Sequence, residues 1–515
     1  MKNKLNFLVS FIFSVGIANG QSTFQKTYGG IFNDYAYCVS QTLDGGYILG
    51  GQTVSYGQAS QYYIYLVKLD SNGDTLWTKA IGDPNNSIDV HSVQQTSDSG
   101  YVACGMKGND LFFLKTNATG NVVWHKIYGG SAIETAYSIQ ETSDGGYIVA
   151  GVIEFISGSS TICLIKIDSN GNTTWTTNFD GTVSVYDYAY FVEQTDDGGY
   201  ILTGSGLIPL VSGGMCLVKT DSAGNIAWSK SFDGINSGYS VQQTADGGYI
   251  IVGTSFITDY NICLIKTNSS GDTLWTRTFG GIDMDQAKSV KITDDGGYII
   301  AGQTRSFTTG LTNGYLIKTD SNGDLAWSRS FGGTSYDMLY SAQQTSDGGY
   351  IAVGQTNSFG SGMTDIYLIK TDAFGMSGCY EMNAATTLST SPLQIGAPMY
   401  QTSSGSTLTG TILQTGGGGI IQTLCLFSGS PEQLKIPALS LFPNPANSYI
   451  TIDFKSNEKS SEVIITDIKG QLVYSKSGIE TQLLDINTTW FADGIYLVSI
   501  QTTDQVKIEK LIIQK

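Results

Sequence analysis

The sequence predicts an all-β protein: a seven-bladed β-propeller followed by a small C-terminal β-sandwich. Three observations carry this expectation. A ten-residue pattern, "TSDGGYIVAG" at 142–151, recurs along the first 350 residues about every fifty, a period typical of propellers, solenoids and arrays. Gly is abundant (64 of 515 residues), Pro scarce (8) and charge low (14%), which suits short strands joined by tight turns. No stretch after the N-terminal leader sustains a 3.6-residue apolar period.

The leader comes first. Lys2 and Lys4 precede an apolar run from Leu5 to Ile17, and Ala18-Asn19-Gly20 supplies small residues at a cleavage position. Residues 1–20 are predicted to be a signal peptide, cut between Gly20 and Gln21. The run is too short for a membrane span, and no later segment is apolar enough for one. No cysteine follows the cut, which argues against a lipid anchor. An exported, soluble chain is expected.

Residues 21–375 are predicted to form the propeller. The motif tyrosines are Tyr47, Tyr101, Tyr147, Tyr200, Tyr249, Tyr298 and Tyr350, and each unit reads as four strands. In the fifth unit strand a is "SVQQT", strand b "YIIVG", strand c "ICLIKT" and strand d "TLWTRTFGG". Strands b and c are almost continuously apolar, so both faces need cover, which neighbouring blades supply. Six units carry a Trp on strand d, at 77, 124, 175, 228, 275 and 327; the seventh stops after strand c. The mature chain opens with "STFQKTYGG", which aligns with "TLWTRTFGG", placing Phe24 where Trp275 stands. The N-terminus is therefore expected to supply the last strand and remove sheet edges by closing the ring.

Units such as "WTRTFGGIDMDQAKSVKITDDGGYIIAGQT" resemble the seven-bladed propeller repeats of secreted bacterial proteins. That resemblance speaks to fold and hardly to activity. Residues 376–434 are expected to be a β-rich or partly ordered connector. From 435 to 515, Pro443-Asn444-Pro445, the turn at 467–470, Gly494-Ile495-Tyr496 and a closing lysine-flanked strand occur in order. This segment resembles the type A C-terminal sorting domain of the Bacteroidetes type IX secretion system, an immunoglobulin-like β-sandwich. The resemblance implies the type IX machinery as partner and delivery outside the cell, attached to the outer surface or released.

The net charge of −17 repels nucleic acid and anionic lipid. Only three arginines occur (Arg277, Arg305, Arg329), few for bidentate grip on phosphate or carboxylate. The two histidines, His91 and His125, allow no catalytic triad or zinc set. Cys163, Cys216 and Cys263 share one place on strand c and read as packing residues, while Cys379 and Cys425 in the connector form the candidate disulfide. Turns such as "DSNGD" at 70–74 and 320–324 match tight hairpins better than calcium loops, with Ca²⁺ kept as the lesser reading. An acidic residue precedes strand a in six units: Asp34, Asp89, Glu134, Asp187, Asp285 and Asp337. These either ring the channel mouth and hold a cation or fix the d–a loops, and the second reading carries more weight.

The resulting expectation is a secreted or surface-displayed module for binding, adhesion or structure. Its extracellular ligand is a glycan or a protein, met by the b–c loops at 52–63, 204–214 and 302–314. The alternative is a glycosidase or lyase using top-face carboxylates, although no catalytic set and no resident cofactor can be named.

Overall fold

A run such as Tyr-Ile-Ile-Val-Gly is apolar on both faces, so as a strand it needs a neighbour on each side. In the computed structural model every such run is the second strand of a four-stranded antiparallel meander. Blade 1 consists of Asp34–Gln41, Tyr47–Thr53, Tyr63–Leu69 and Thr75–Gly82, strands a to d. Blades 2 to 6 repeat this order over 88–128, 133–181, 188–232, 235–280 and 285–331. Blade 7 takes strands a to c from Asp337–Gln344, Tyr350–Thr356 and Asp365–Thr371, and strand d from Ser22–Gly29. The structure describes residues 22–513 except 58–60, 84, 156–157, 182–186, 209–210, 257–259, 390–394, 397–399, 404–413, 417–419, 429–439, 443–445, 454–459, 468–471, 480–482 and 503–505. The expected cleavage position at Gly20 and Gln21, Pro443-Asn444-Pro445 and most of the 467–470 turn lie outside the described residues.

Alternation along strands b and c divides each blade between two cores. Ile48, Ile64 and Leu66 pack with blade 2, whereas Leu49, Tyr65 and Val67 pack with blade 7. One such apolar cluster fills each of the seven blade junctions. Burying one Ile, Leu or Val side chain contributes about 1.5–3 kcal/mol, so the junctions hold the ring together.

The ring closes as the alignment predicts. Phe24 pairs with Lys370 and Tyr28 with Ile366. Each strand-d aromatic also latches onto the following blade. Trp275 lies 6.2 Å from the Tyr298 ring and covers Gly323 in the next c–d turn. Gly323 has φ +76°, and a Cβ there would come within 2.6 Å of the indole, so that turn requires glycine twice over. Phe24 repeats the contact with Tyr47, at 6.5 Å.

The Asp of the repeated motif does more than form the a–b hairpin. In every blade it is ion-paired to a buried strand-c lysine, as in Lys266–Asp246 at 2.8 Å. Lys266 also donates to Thr267 O, so a cation under apolar strands is satisfied on two sides.

Ring closure leaves strand d of each blade with an outer edge, contrary to the expectation that closure alone removes edges. Among the described residues the connector covers six of these seven edges, and blade 2 remains four-stranded. Glu381–Asn383 pairs with blade 6, Thr387–Ser389 with blade 5, Ile395–Gly396 with blade 4 and Tyr400–Ser403 with blade 3. Gln414–Gly416 then pairs with blade 1, and Ile420–Ser428 with the N-terminal strand in blade 7. The connector thus runs round the rim as a belt, opposite to the order of the blades.

Residues 430–515 form a separate compact unit. Ser440–Phe442, Tyr449–Asp453 and Leu483–Asn487 make one sheet. Leu472–Ile479, Ser460–Asp467, Gly494–Thr502 and Val506–Ile513 make the other. Ile450, Ile452, Val463, Ile465, Ile486 and Val498 are among the residues of their shared core. No described helix is long and apolar enough to cross a membrane.

Candidate binding channel

Strand a of each blade runs along the central channel, and in every blade it carries a β-bulge. In blade 1 the ladder passes from Ala36–Gly51 to Cys38–Gly50 and skips Tyr37. The same step skips His91, Tyr137, Tyr190, Tyr239, Lys288 and Tyr340 in blades 2 to 7. A bulge re-aims the extra residue, and here these seven residues all line one cavity. The last glycine of "Tyr-Ile-Ile-Ala-Gly" makes the bulge possible: a Cβ on Gly302 would sit 2.0 Å from Gln286 O.

Neighbouring side chains pack in succession round this cavity, from Tyr340 to Lys288. Tyr340 lies 5.2 Å from Tyr37, Tyr37 6.2 Å from His91, and His91 4.9 Å from Tyr137. Tyr137 lies 5.2 Å from Tyr190 and Tyr190 5.6 Å from Tyr239, with Lys288 Nζ 4.7 Å from the Tyr239 ring centroid. The cavity, about 510 Å³, lies on the a–b turn side of this ring. Serines 92, 138, 240, 289 and 341 line its middle, and Ser40, Gln94, Gln140, Lys291 and Gln343 line it nearer the turns.

Burial governs the ionisation of the lining. It pushes His91 down to about 4, so the imidazole is neutral at pH 7. It pushes Tyr340 up to about 12 and lowers Lys288 from the usual lysine value. Lys291 is lowered by burial and partly restored by the charge of Glu193. Glu193 is raised by burial, with Lys291 and hydrogen bonds from Gln242 and Gln243 acting against that rise.

Five of the six acids singled out before strand a lie elsewhere, whereas Asp89 is near enough for its charge to act on Tyr37 of the ring. Asp34, Glu134, Asp187, Asp285 and Asp337 each stand two residues before the paired residue that precedes the bulge. Asp89 stands one residue before it, so it faces the opposite side of its strand. Asp34 accepts hydrogen bonds from Gly30 N (2.7 Å), Ser55 Oγ (2.6 Å) and Thr53 Oγ1. Asp337 is held in the same way by Gly333 N, Ser358 Oγ and Thr356 Oγ1. These carboxylates bind their own d–a and b–c loops. Among the described residues no three His, Cys, Asp or Glu side chains converge as a metal site.

In the c–d turns, Asp70 Oδ1 accepts from the backbone N–H groups of Asn72 (2.8 Å) and Asp74 (2.9 Å). The aspartate is thereby engaged as a turn former. Three aromatic residues of the b–c loops fold inward: Tyr56, Phe307 and Phe359 pack on Tyr65, Tyr315 and Tyr367, whereas Phe155, Phe256 and Tyr260 are exposed. Cys38, Cys104, Cys163, Cys216 and Cys263 are free thiols, while Cys379 is disulfide-bonded.

Residues 440–514 match the family model of the secretion system C-terminal sorting domain. No curated protein matches the chain. Among solved structures, a Bacteroides caccae protein of unknown function is 11% identical with TM-score 0.36, over 54% of this chain and 92% of its own. A Dyadobacter fermentans protein of unknown function is 11% identical with TM-score 0.38, over 67% and 98%. A fungal alcohol oxidase in complex with copper is 11% identical with TM-score 0.44, over 96% and 100%. Likeness at this level carries no argument about function. The chain is a seven-bladed β-propeller bearing a type IX secretion sorting domain, which directs it to the cell surface or the extracellular space.

Proposed function

We propose that the exported propeller is a carbohydrate-binding module whose ligand enters the turn-side half of the central channel. The observation that carries this reading is the ring of five tyrosines, one histidine and one lysine, aimed inward by seven equivalent bulges. Tyrosine faces offer rigid apolar area for the C–H face of a sugar, and the Ser and Gln side chains beyond them offer hydrogen bonds. A cavity of about 510 Å³ falls within the ordinary range for small-ligand sites. Relative to the sequence expectation, this reading moves the site from the b–c loops to strand a, because Tyr56, Phe307 and Phe359 of those loops are used in packing.

In this reading the propeller's rigidity is completed by a disulfide between Cys379 and Cys425. Both cysteines meet the same residue of the closing strand: Gln25 Nε2 donates to Cys379 O, and Gln25 stands opposite Cys425 in the ladder. A non-reducing digest is expected to yield the two cysteines in one linked peptide pair, and a free Cys425 thiol would rule the bond out.

The function is tested by screening the chain without residues 1–20 on a glycan array while assaying soluble products in parallel. Binding without product release is expected, weakened at least tenfold in Tyr137→Ser and Tyr190→Ser. Product release would replace this reading with the enzymatic one, and absence of any glycan binding would remove it.

A further inference from the structure

Five blades place tyrosine in the ring, and two depart from it. His91 is neutral at pH 7, so Lys288 introduces the ring's only charge. Nearer the turns, Lys291 has Glu193 within electrostatic reach and lies 5.4 Å from the Phe191 ring centroid. No ion pair among the described residues reaches Lys288. Among the described residues the neighbour that meets its charge is the Tyr239 face, a weak partner for an ammonium group. The strand-c lysines show what this chain does elsewhere with a buried cation: each receives an aspartate at 2.8–2.9 Å. Lys288 has no such aspartate and lines open space.

We propose that the channel takes a sugar carrying one negative charge, with the anionic group on Lys288 and the sugar ring against the tyrosine faces. This inference rests on the carbohydrate reading of the channel. On the turn side of the ring one positive charge is left over, because Glu193 already answers Lys291 and His91 adds none. A lysine also suits the chain's lack of channel arginines, since a point charge asks for no bidentate geometry. The overall charge of −17 repels such a ligand at long range. Ionic screening confines that repulsion to about 8 Å at physiological salt, so attraction inside the channel decides recognition.

The test uses the chain without residues 1–20 and calorimetric titration with D-glucuronate, D-glucose and glucose 6-sulfate. Wild type is expected to bind at least one of the two charged sugars tenfold or more tightly than glucose. Lys288→Tyr restores the residue used in five other blades, so it is compatible with the fold. It is expected to abolish the preference, bringing charged-sugar affinity down to that of glucose on the same variant. Lys288→Met should do the same, which separates loss of charge from gain of an aromatic face. Preference for glucuronate over the sulfate identifies a carboxylate ligand, and the reverse identifies a sulfate ester. Equal binding of charged and neutral sugars, or a charge preference that survives Lys288→Tyr, overturns this inference and leaves the binding module intact. Failure of all three sugars to bind while the array also stays blank overturns both.

Discussion

The two faces of the propeller use the same residue type for opposite purposes. On the a–b turn face, Asp44, Asp98, Asp144, Asp197, Asp246 and Asp295 are held at about 2. Partial burial opposes their charge, but a threonine hydroxyl, a glycine N–H and the strand-c lysine outweigh it. On the loop face, Asp34, Asp285 and Asp365 are raised, because burial outweighs the hydroxyl and N–H donors and no cation stands beside them. One acid per blade is therefore not a functional signature in itself. The turn-face acids balance buried lysines, the loop-face acids tie loops, and the candidate site is a third set of seven positions inside the ring.

The turn face should be the more sensitive. Asp246→Ala leaves Lys266, with a side chain only 7% exposed, holding a single carbonyl. A loss of about 2 kcal/mol is expected by chemical denaturation, already discounted because the aspartate is 57% exposed. Adding Lys266→Met should recover much of it by removing the stranded charge. The pH sign follows from the lowered folded values. Each pair contributes fully above the unfolded aspartate value, about 3.9, and the contribution is lost as pH falls through about 2. Asp246→Ala should thus shrink the wild-type loss of stability between pH 4 and 2. An unchanged acid transition would show that the pairs do not set it.

The loop face should respond less and in the other direction. A raised carboxyl contributes stability below its unfolded value and loses it as pH rises through the folded one. Asp285→Asn keeps an acceptor for Gly281 N and Ser306 Oγ, bonded at 2.8 Å each. A cost of about 1 kcal/mol is expected, and it should be larger at pH 4 than at pH 7. Thermal midpoints at the two values check this. A cost that grows with pH would mean that Asp285 is stabilising as an anion.

The repeat, the strand order and the N-terminal closure were legible because each depends on spacing or on alternation, which one chain displays. The partner of each motif Asp was not, since a strand-c lysine about twenty residues away becomes its neighbour only once the hairpins stack. The belt was hidden for a related reason: pieces as short as Ile395–Gly396 form no pattern alone and exist because a strand-d edge awaits them. The ring was readable in principle. Aligning the units on the valine of "SVQQT" gives a column of Tyr37, His91, Tyr137, Tyr190, Tyr239, Lys288 and Tyr340. Its role is hidden because strand a reads as scaffold and the bulge that aims this column is invisible in sequence.

The smallest effect concerns the glutamines that end strand a, which stitch neighbouring blades on the turn face. Gln41 accepts Ser346 N at 2.8 Å, Gln194 accepts Ser143 N at 2.8 Å, and Gln344 accepts Asp294 N at 2.7 Å. Glu141 performs the task for Ser97. Blade 6 has Ile292 at this place and no amide to offer, so the ring already tolerates a missing stitch. Gln344→Ile should therefore cost about 0.5–1 kcal/mol, the value of an exposed neutral hydrogen bond. It should leave the acid transition where the aspartate–lysine pairs put it. A loss as large as that of Asp246→Ala would place the turn face's strength in the stitches between blades rather than in the ion pairs within them.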